Sequence, residues 1–254
     1  MEKYSLITGA SRGIGRAVAL ALAGQGRNLI LVADQDRLGL FHTLSLVRHT
    51  YIENFGMGPA MYMCCRTFLC DVSDADMVDN LFEKLEKDGC RVEILVNNAG
   101  VSHFDLVQDT STASWRKVLG TNLDGPFYMC RKVVPGMVHD KAGSIINISS
   151  YWGIAGSAME SAYCASKGGL NSFTLSLAKE LEPSGIRVNA LACEFVNTEM
   201  NAFLNEEEVA GALELMPSKR VIEPEEIADM VLELIRPEDT RTAQIIAMKE
   251  NTDS

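Results

Sequence analysis

No stretch of this 254-residue chain approaches the ~18 consecutive apolar residues that a membrane span needs. The N-terminus, Met-Glu-Lys-Tyr-Ser-Leu-Ile, enters a strand-like run at once and lacks the apolar core of a signal peptide. A cytoplasmic protein with no membrane partner is expected. Positive charge is scarce: 23 Lys and Arg against 34 Asp and Glu leave a net charge of −11. That excludes a nucleic-acid partner, whose phosphate backbone requires clustered basic side chains. The seven cysteines form no Cys-x-x-Cys and no pairing with histidine, so no metal site is expected. An odd number without an export signal reads as reduced thiols, packed as small hydrophobes. No polar tract, repeat or linker divides the chain, and a single domain over residues 1–254 is expected.

What is present is a regular alternation of strand and helix signals. Tyr4-Ser-Leu-Ile-Thr reads as a first strand, followed by Thr8-Gly-Ala-Ser-Arg-Gly-Ile-Gly15 and the helix former Arg16-Ala-Val-Ala-Leu-Ala-Leu-Ala. Strand, glycine turn and helix together suit a pyrophosphate, which rests on the helix N-terminus where glycines let the backbone come close. Asn28–Ala33 is a second strand, and Asp34 closes it roughly 20 residues beyond the turn, the place of a carboxylate that binds the ribose 2′-hydroxyl. Asp34 favours NAD(H), while Arg12 and Arg37 leave NADP(H) open. Leu38, Phe41, Leu44, Val47, Tyr51 and Phe55 recur at three and four and predict one helical stripe. Asp71 follows a third strand, with Ser73 as the expected cap of the next helix. Val92–Asn97 is a buried strand ending in Asn97, Asn98, Ala99 and Gly100. Trp115 to Pro135 reads as one long helix with Asn122 inside it, an unfavourable place that hints at a specific partner.

Ile145, Ile146 and Ile148 form the buried end of another strand, which stops at Ser149 and Ser150. Tyr163 and Lys167 follow, four apart in helix-forming sequence and hence on one helix face. A phenol titrates near 10 and exchanges protons poorly at neutral pH unless a cation favours its ionised form. Tyr163 is therefore the candidate acid or base, Lys167 the cation and Ser150 the donor that holds a carbonyl or hydroxyl oxygen. A Tyr–Lys pair at this spacing is common by chance; its position between a serine-ended strand and Ile186–Ala192, a sixth strand, gives it weight. Residues 193–222 are less regular, with Met200, Phe203, Leu204, Leu213, Leu215 and Met216 as apolar points, and read as a lid over a substrate. Glu225–Leu234 and Ala243–Met248 complete the pattern as helix and strand. The fold expected is α/β, a single doubly wound parallel sheet of Rossmann type with helices on both faces and one site at the strands' carboxyl edge.

These residues resemble the short-chain dehydrogenases/reductases over nearly the whole chain. The resemblance rests on Thr8-Gly-x-x-x-Gly-x-Gly15, Asp71-Val72, Asn97-Asn-Ala-Gly100, Asn122, Ser150, Tyr163-x-x-x-Lys167 and Thr198. Thr-Gly-Ala-Ser-Arg-Gly-Ile-Gly, Ala-Lys-Glu-Leu and Gly-Ile-Arg-Val-Asn-Ala are similar to bacterial 3-oxoacyl-[acyl-carrier-protein] reductases. The resemblance implies an NAD(P)H-dependent ketoreductase acting on a ketone or acyl thioester, with acyl carrier protein as a partner and a homo-oligomeric assembly, dimer or tetramer. A hydroxysteroid or other secondary-alcohol dehydrogenase would share every catalytic residue; a cofactor-binding scaffold or sensor without turnover is the reading from another class. By resemblance, Tyr163 donates the proton, Lys167 binds the nicotinamide ribose, Ser150 orients the carbonyl and Asn122 holds a relay water. Gly9, Ser11, Gly13, Ile14 and Gly15 shape the pyrophosphate turn, Asp71 and Val72 flank the adenine, Asn98, Ala99 and Gly100 line the cofactor, and Val196 and Thr198 contact its nicotinamide end. Two places depart from the pattern. Cys193-Glu194 replaces Pro-Gly after strand six, which brings an anion toward the nicotinamide. Thr242-Ala-Gln244 is followed by Met-Lys-Glu-Asn with no glycine pair, which bears on the usual tetramer.

Overall fold

The computed structural model describes residues 2–202 and 204–248. Phe203 and the tail residues Lys249, Glu250 and Asn251 lie outside the described residues, as does Met1. In chain order the elements are β1 (Glu2–Thr8), α1 (Gly13–Gly24), β2 (Leu29–Ala33), α2 (Arg37–Phe55), α3 (Met57–Ala60), β3 (Cys65–Leu69), α4 (Ala75–Lys87), β4 (Cys90–Asn97), α5 (Thr112–Leu119), α6 (Gly125–Asp140), β5 (Gly143–Ser150), α7 (Trp152–Ala155), α8 (Ser161–Leu181), β6 (Ile186–Cys193), α9 (Glu206–Glu214), α10 (Pro224–Leu234) and β7 (Gln244–Ala247).

All seven strands pair in parallel in the order β3-β2-β1-β4-β5-β6-β7. Successive side chains of a strand point to opposite faces, and both faces here are dry. Leu29, Leu31 and Ala33 of β2 face a core built with α1, α2 and α10, whereas Ile30 and Val32 face one built with α4, α6 and α8. Leu29, Ile30, Leu31 and Val32 are each 0% exposed, so each contributes roughly 1.5–3 kcal/mol of burial. The expected doubly wound sheet with helices on both faces is what the chain forms. Its strand order reverses between β1 and β4, which opens a crevice at their carboxyl ends.

Three local expectations are corrected. In α2 the buried face is Leu40, Thr43, Val47 and Tyr51, while Leu38 is 82% exposed and Phe41 50%. The stripe is rotated because Thr43 is drawn inward by polar contacts: its hydroxyl donates to Gly39 O at 3.1 Å and accepts from Arg16 Nε at 3.0 Å. The cap of α4 is Asp74, which accepts from the amides of Asp76 and Met77; Ser73 instead donates to Asp71. The single helix read over 115–135 is two helices, α5 and α6, joined by a π-helical segment at Gly120–Asp124 that contains Asn122.

Candidate active site

One cleft of about 1300 Å³ runs along the carboxyl ends of the strands. Nearly every site residue read from the sequence lines it; Gly15 and Asn122 stand behind its wall.

The cleft floor begins where β1 ends. Gly9 has φ +64°, and a Cβ at Gly15 would lie 2.2 Å from the Gly9 carbonyl oxygen, so backbone meets backbone there. The turn is held by Thr8, whose hydroxyl accepts from the amides of Asn98 and Ala99, both at 3.0 Å. Asn98 donates to Thr8 O at 2.9 Å and Gly9 O at 3.1 Å, so its side chain serves the turn. Thr198 closes the turn from the other side, 3.2 Å from where a Gly13 Cβ would stand. At the start of α1, Arg12 offers no side-chain cap and the first turn holds no acidic residue. Its amide groups are therefore free for an anion, and the glycine cradle that a Cβ would fill suits a pyrophosphate.

Asp34 is exposed at the end of β2, beside Asp71. Burial and the charge of Asp71 push its carboxyl up, and Lys117 of α5 opposes them. Lys117 also lines the cleft; nothing in the linear order relates positions 34 and 117, and the sequence reading missed it. Asp71 is held by Ser73, whose amide and hydroxyl donate to its Oδ1 at 2.9 and 2.7 Å. Of the two arginines considered for a 2′-phosphate, Arg12 lies 3.8 Å from Asp36 and lines the cleft, and Arg37 is not among the lining residues.

At the other end, Ser150 closes β5 and lies opposite Cys193, the last residue of β6. Its hydroxyl accepts from Trp152 N at 3.2 Å and interacts with Tyr163. Tyr163 and Lys167 share one face of α8, with Lys167 Nζ 5.7 Å from the tyrosine ring centroid. The ammonium donates to Ile148 O at 2.7 Å and its residue is 4% exposed. Burial pulls Lys167 down to about 8, with Cys193 opposing. Burial likewise pushes the Tyr163 phenol up, and the Ser150 hydrogen bond works against that. In the protein alone the phenol is thus a protonated acid, and its activation by Lys167 is not seen. Close packing makes this geometry: a Cβ on Gly153 would lie 2.7 Å from the Lys167 carbonyl carbon, so only glycine lets α7 rest on α8.

Asn122 is 0% exposed. Its Oδ1 accepts from Val101 N, and its amide donates to Val101 O and to Ser166 Oγ, at 2.9, 2.9 and 3.0 Å. The specific partner hinted at by a mid-helix asparagine is this set, which ties the loop after β4 to α8. Both amide protons are used, so the side chain has no donor left for a relay water. Val196 is buried and bridges Ile222 in parallel. Glu194 is 7% exposed; its carboxylate is engaged by Ser218.

A sequence profile described as short chain dehydrogenase matches residues 3–209. The chain belongs to that family. Among its curated relatives, the 3-oxoacyl-[acyl-carrier-protein] reductase FabG of Vibrio harveyi is 34% identical over 93% of this chain and 91% of its own length. The FabG of Thermotoga maritima is 35% identical over 97% and 96%, and an uncharacterized oxidoreductase of Bacillus subtilis, YmfI, is 34% identical over 98% of each. Family membership and these oxidoreductase relatives make the chain an NAD(P)-dependent oxidoreductase. The free α1 amides, the glycine cradle and Asp34 are the residues fitted to hold that nucleotide. Among the described residues, no helix is long and apolar enough to cross a membrane.

Proposed function

We propose that the protein is a cytoplasmic ketoreductase that converts a 3-oxoacyl thioester, or a ketone of similar shape, to the hydroxy compound, with NADH preferred. The observation that carries this reading is the convergence of Ser150, Tyr163 and Lys167 at one end of a cleft whose other end is the glycine turn and Asp34. The bound nucleotide supplies the hydride. Ser150 holds the carbonyl oxygen by its hydroxyl, and Tyr163, protonated in its buried setting, delivers the proton to that oxygen. Lys167, fixed by Ile148 O, presents its charge beside the ring and stabilises the phenolate left behind. Met200, Leu204, Leu215 and Met216 line the substrate end and act as the lid's apolar wall. Asp34 sets the nucleotide preference, since a 2′-phosphate would bring about two more negative charges to the Asp34–Asp71 pair.

One observation favours the second reading, a dehydrogenase of free secondary alcohols such as hydroxysteroids. The substrate end carries Glu160 and Glu208, with Glu199 nearby along the same cleft, and Lys167 is the only Lys or Arg among its described lining residues. Such a mouth repels an anionic carrier. Purified protein incubated with NADH or NADPH and a panel of 3-oxoacyl thioesters, steroids and simple diketones, followed by nicotinamide absorbance, decides between them. Turnover of thioesters supports the first reading, turnover of steroids or diketones alone the second, and no turnover of any carbonyl refutes both. A working oligomer, dimer or tetramer, forms part of the proposal and is read by light scattering.

A further inference from the structure

The mechanism above leaves one buried carboxylate without a task. Glu194 follows directly on β6 and is 7% exposed. Its Oε2 accepts from the Ser218 amide at 2.9 Å and from the Ser218 hydroxyl. Its Oε1 is buried with no hydrogen-bond partner. Ser218 lies on the return of the chain after α9, two residues beyond Met216, which is 4% exposed and lines the cleft.

The base of this segment is closed by other bonds. Ile222 N donates to Phe195 O, Asn197 N to Ile222 O and Asn201 Nδ2 to Val196 O, each at 2.8 Å. Those contacts fix where the segment leaves and rejoins the sheet. The Glu194–Ser218 contact starts one residue before them, directly after β6, and ties the chain back at residue 218, four residues short of Ile222. It is also only half satisfied. A buried carboxylate is stable when its acceptor sites are filled, and here one oxygen has two donors and the other none. The Arg220 guanidinium also acts on this carboxylate through space, and releasing Ser218 would let water reach the unpaired oxygen and offset part of the two bonds lost. A contact only partly satisfied in this way suits a lid that opens and closes.

We propose that Glu194 is a positioning residue for the substrate. It latches residues 215–218 over the catalytic end and thereby places Met216 as the wall against which the ketone's apolar part packs. This rests on the ketoreductase reading for its kinetic consequences alone.

The test compares wild type with Glu194→Ala, Glu194→Gln and Ser218→Ala, each as the full chain. Amide hydrogen exchange over residues 205–221 and the Kd for NADH are measured, together with KM and kcat for whichever carbonyl the panel shows is turned over. Loss of two bonds to a charged acceptor should raise KM by about tenfold in Glu194→Ala, with kcat within about twofold and the NADH Kd unchanged. Exchange should quicken in 205–221 and not in α1 or α8. Glu194→Gln keeps an oxygen for the Ser218 amide and should recover most of the KM; Ser218→Ala should fall between. Unchanged exchange in 205–221, or a loss of NADH affinity with KM unaltered, overturns the latch. If Glu194→Ala does not fold, Ser218→Ala, which removes only a hydroxyl, carries the comparison. If wild type reduces no carbonyl, the functional reading has failed and the exchange data still decide the latch.

Discussion

Lys167→Met tests whether the cleft sacrifices stability for chemistry. Lys167 is 4% exposed, and burial pulls it from its ordinary 10.5 to about 8. At 1.36 kcal/mol for each tenfold change in proton affinity, a fall of about 2.5 corresponds to roughly 3 kcal/mol against folding at neutral pH. Methionine keeps an unbranched apolar stem and removes that penalty, but it leaves Ile148 O without the Nζ donor now at 2.7 Å, a loss of about 1–3 kcal/mol. The net gain at pH 7 is about 1 kcal/mol, or a Tm higher by about 2–4 °C for a domain of this size. The gain depends on pH in a defined direction. Below pH 8 lysine is protonated in both states and the wild type carries the whole penalty. Between 8 and 10.5 the unfolded chain binds a proton that the folded protein lacks, so wild-type stability rises relative to the variant. Above 10.5 the penalty is gone while the neutral amine still donates to Ile148 O, and the order of stabilities reverses. Neighbouring Cys193, whose thiol burial pushes up to about 12, stays uncharged across this window. Melting curves of both proteins from pH 7 to 10.5, with turnover measured beside them, check this. A variant less stable than wild type at pH 7 by more than about 1 kcal/mol, or a difference that does not change between pH 8 and 10.5, would refute the reasoning.

Three further changes probe the rest of the cleft. Tyr163→Phe should lower kcat by about two to four decades while NADH titration shows unaltered binding, because only the titrating oxygen is lost. Asp34→Ser should shift the ratio of kcat/KM toward NADPH by about tenfold: like charges ~4 Å apart at an effective dielectric near 20 repel by about 4 kcal/mol, and solvent screening of an exposed carboxylate reduces this to roughly 1.4. A wild type that already favours NADPH tenfold would show that Arg12 and Lys117 outweigh Asp34. Gly15→Ala places a Cβ 2.2 Å from a backbone oxygen, so nucleotide titration should show binding lost or the Tm should fall; a variant normal in both would disprove the tight turn.

Each element's type was legible because backbone geometry imposes a local period on the side chains. The four-residue spacing of Tyr163 and Lys167 places both on one face of α8 wherever that helix docks, and a glycine turn between strand and helix presents amides whatever surrounds it. Where two local patterns compete, the chain alone does not choose between them. In α2, Leu38 and Phe41 fit a stripe as well as Leu40 and Thr43 do, and contacts from Arg16 to Thr43 select the second. Ser73 and Asp74 both cap well; Ser73 is taken by Asp71, which leaves Asp74. Asn122 breaks the helix period by π geometry because Val101 and Ser166, both far along the chain, claim its amide.

The sequence by itself determined the parallel α/β order, the glycine cradle and the placing of Tyr163 and Lys167 on one helix face, since each follows from the alternation of elements or from spacing within one element or one turn. Only the tertiary structure decided that Lys117 comes to Asp34, that Gly153 lets α7 rest on Lys167, and that Glu194 bonds Ser218 instead of standing free in the cleft. Asp34 and Lys117 sit on different connections, after β2 and after β4, while Gly153 and Lys167 meet within the one after β5 and Glu194 and Ser218 within the one after β6. How each connection packs depends on burying both faces of the whole sheet at once, a condition that no single stretch of the chain contains.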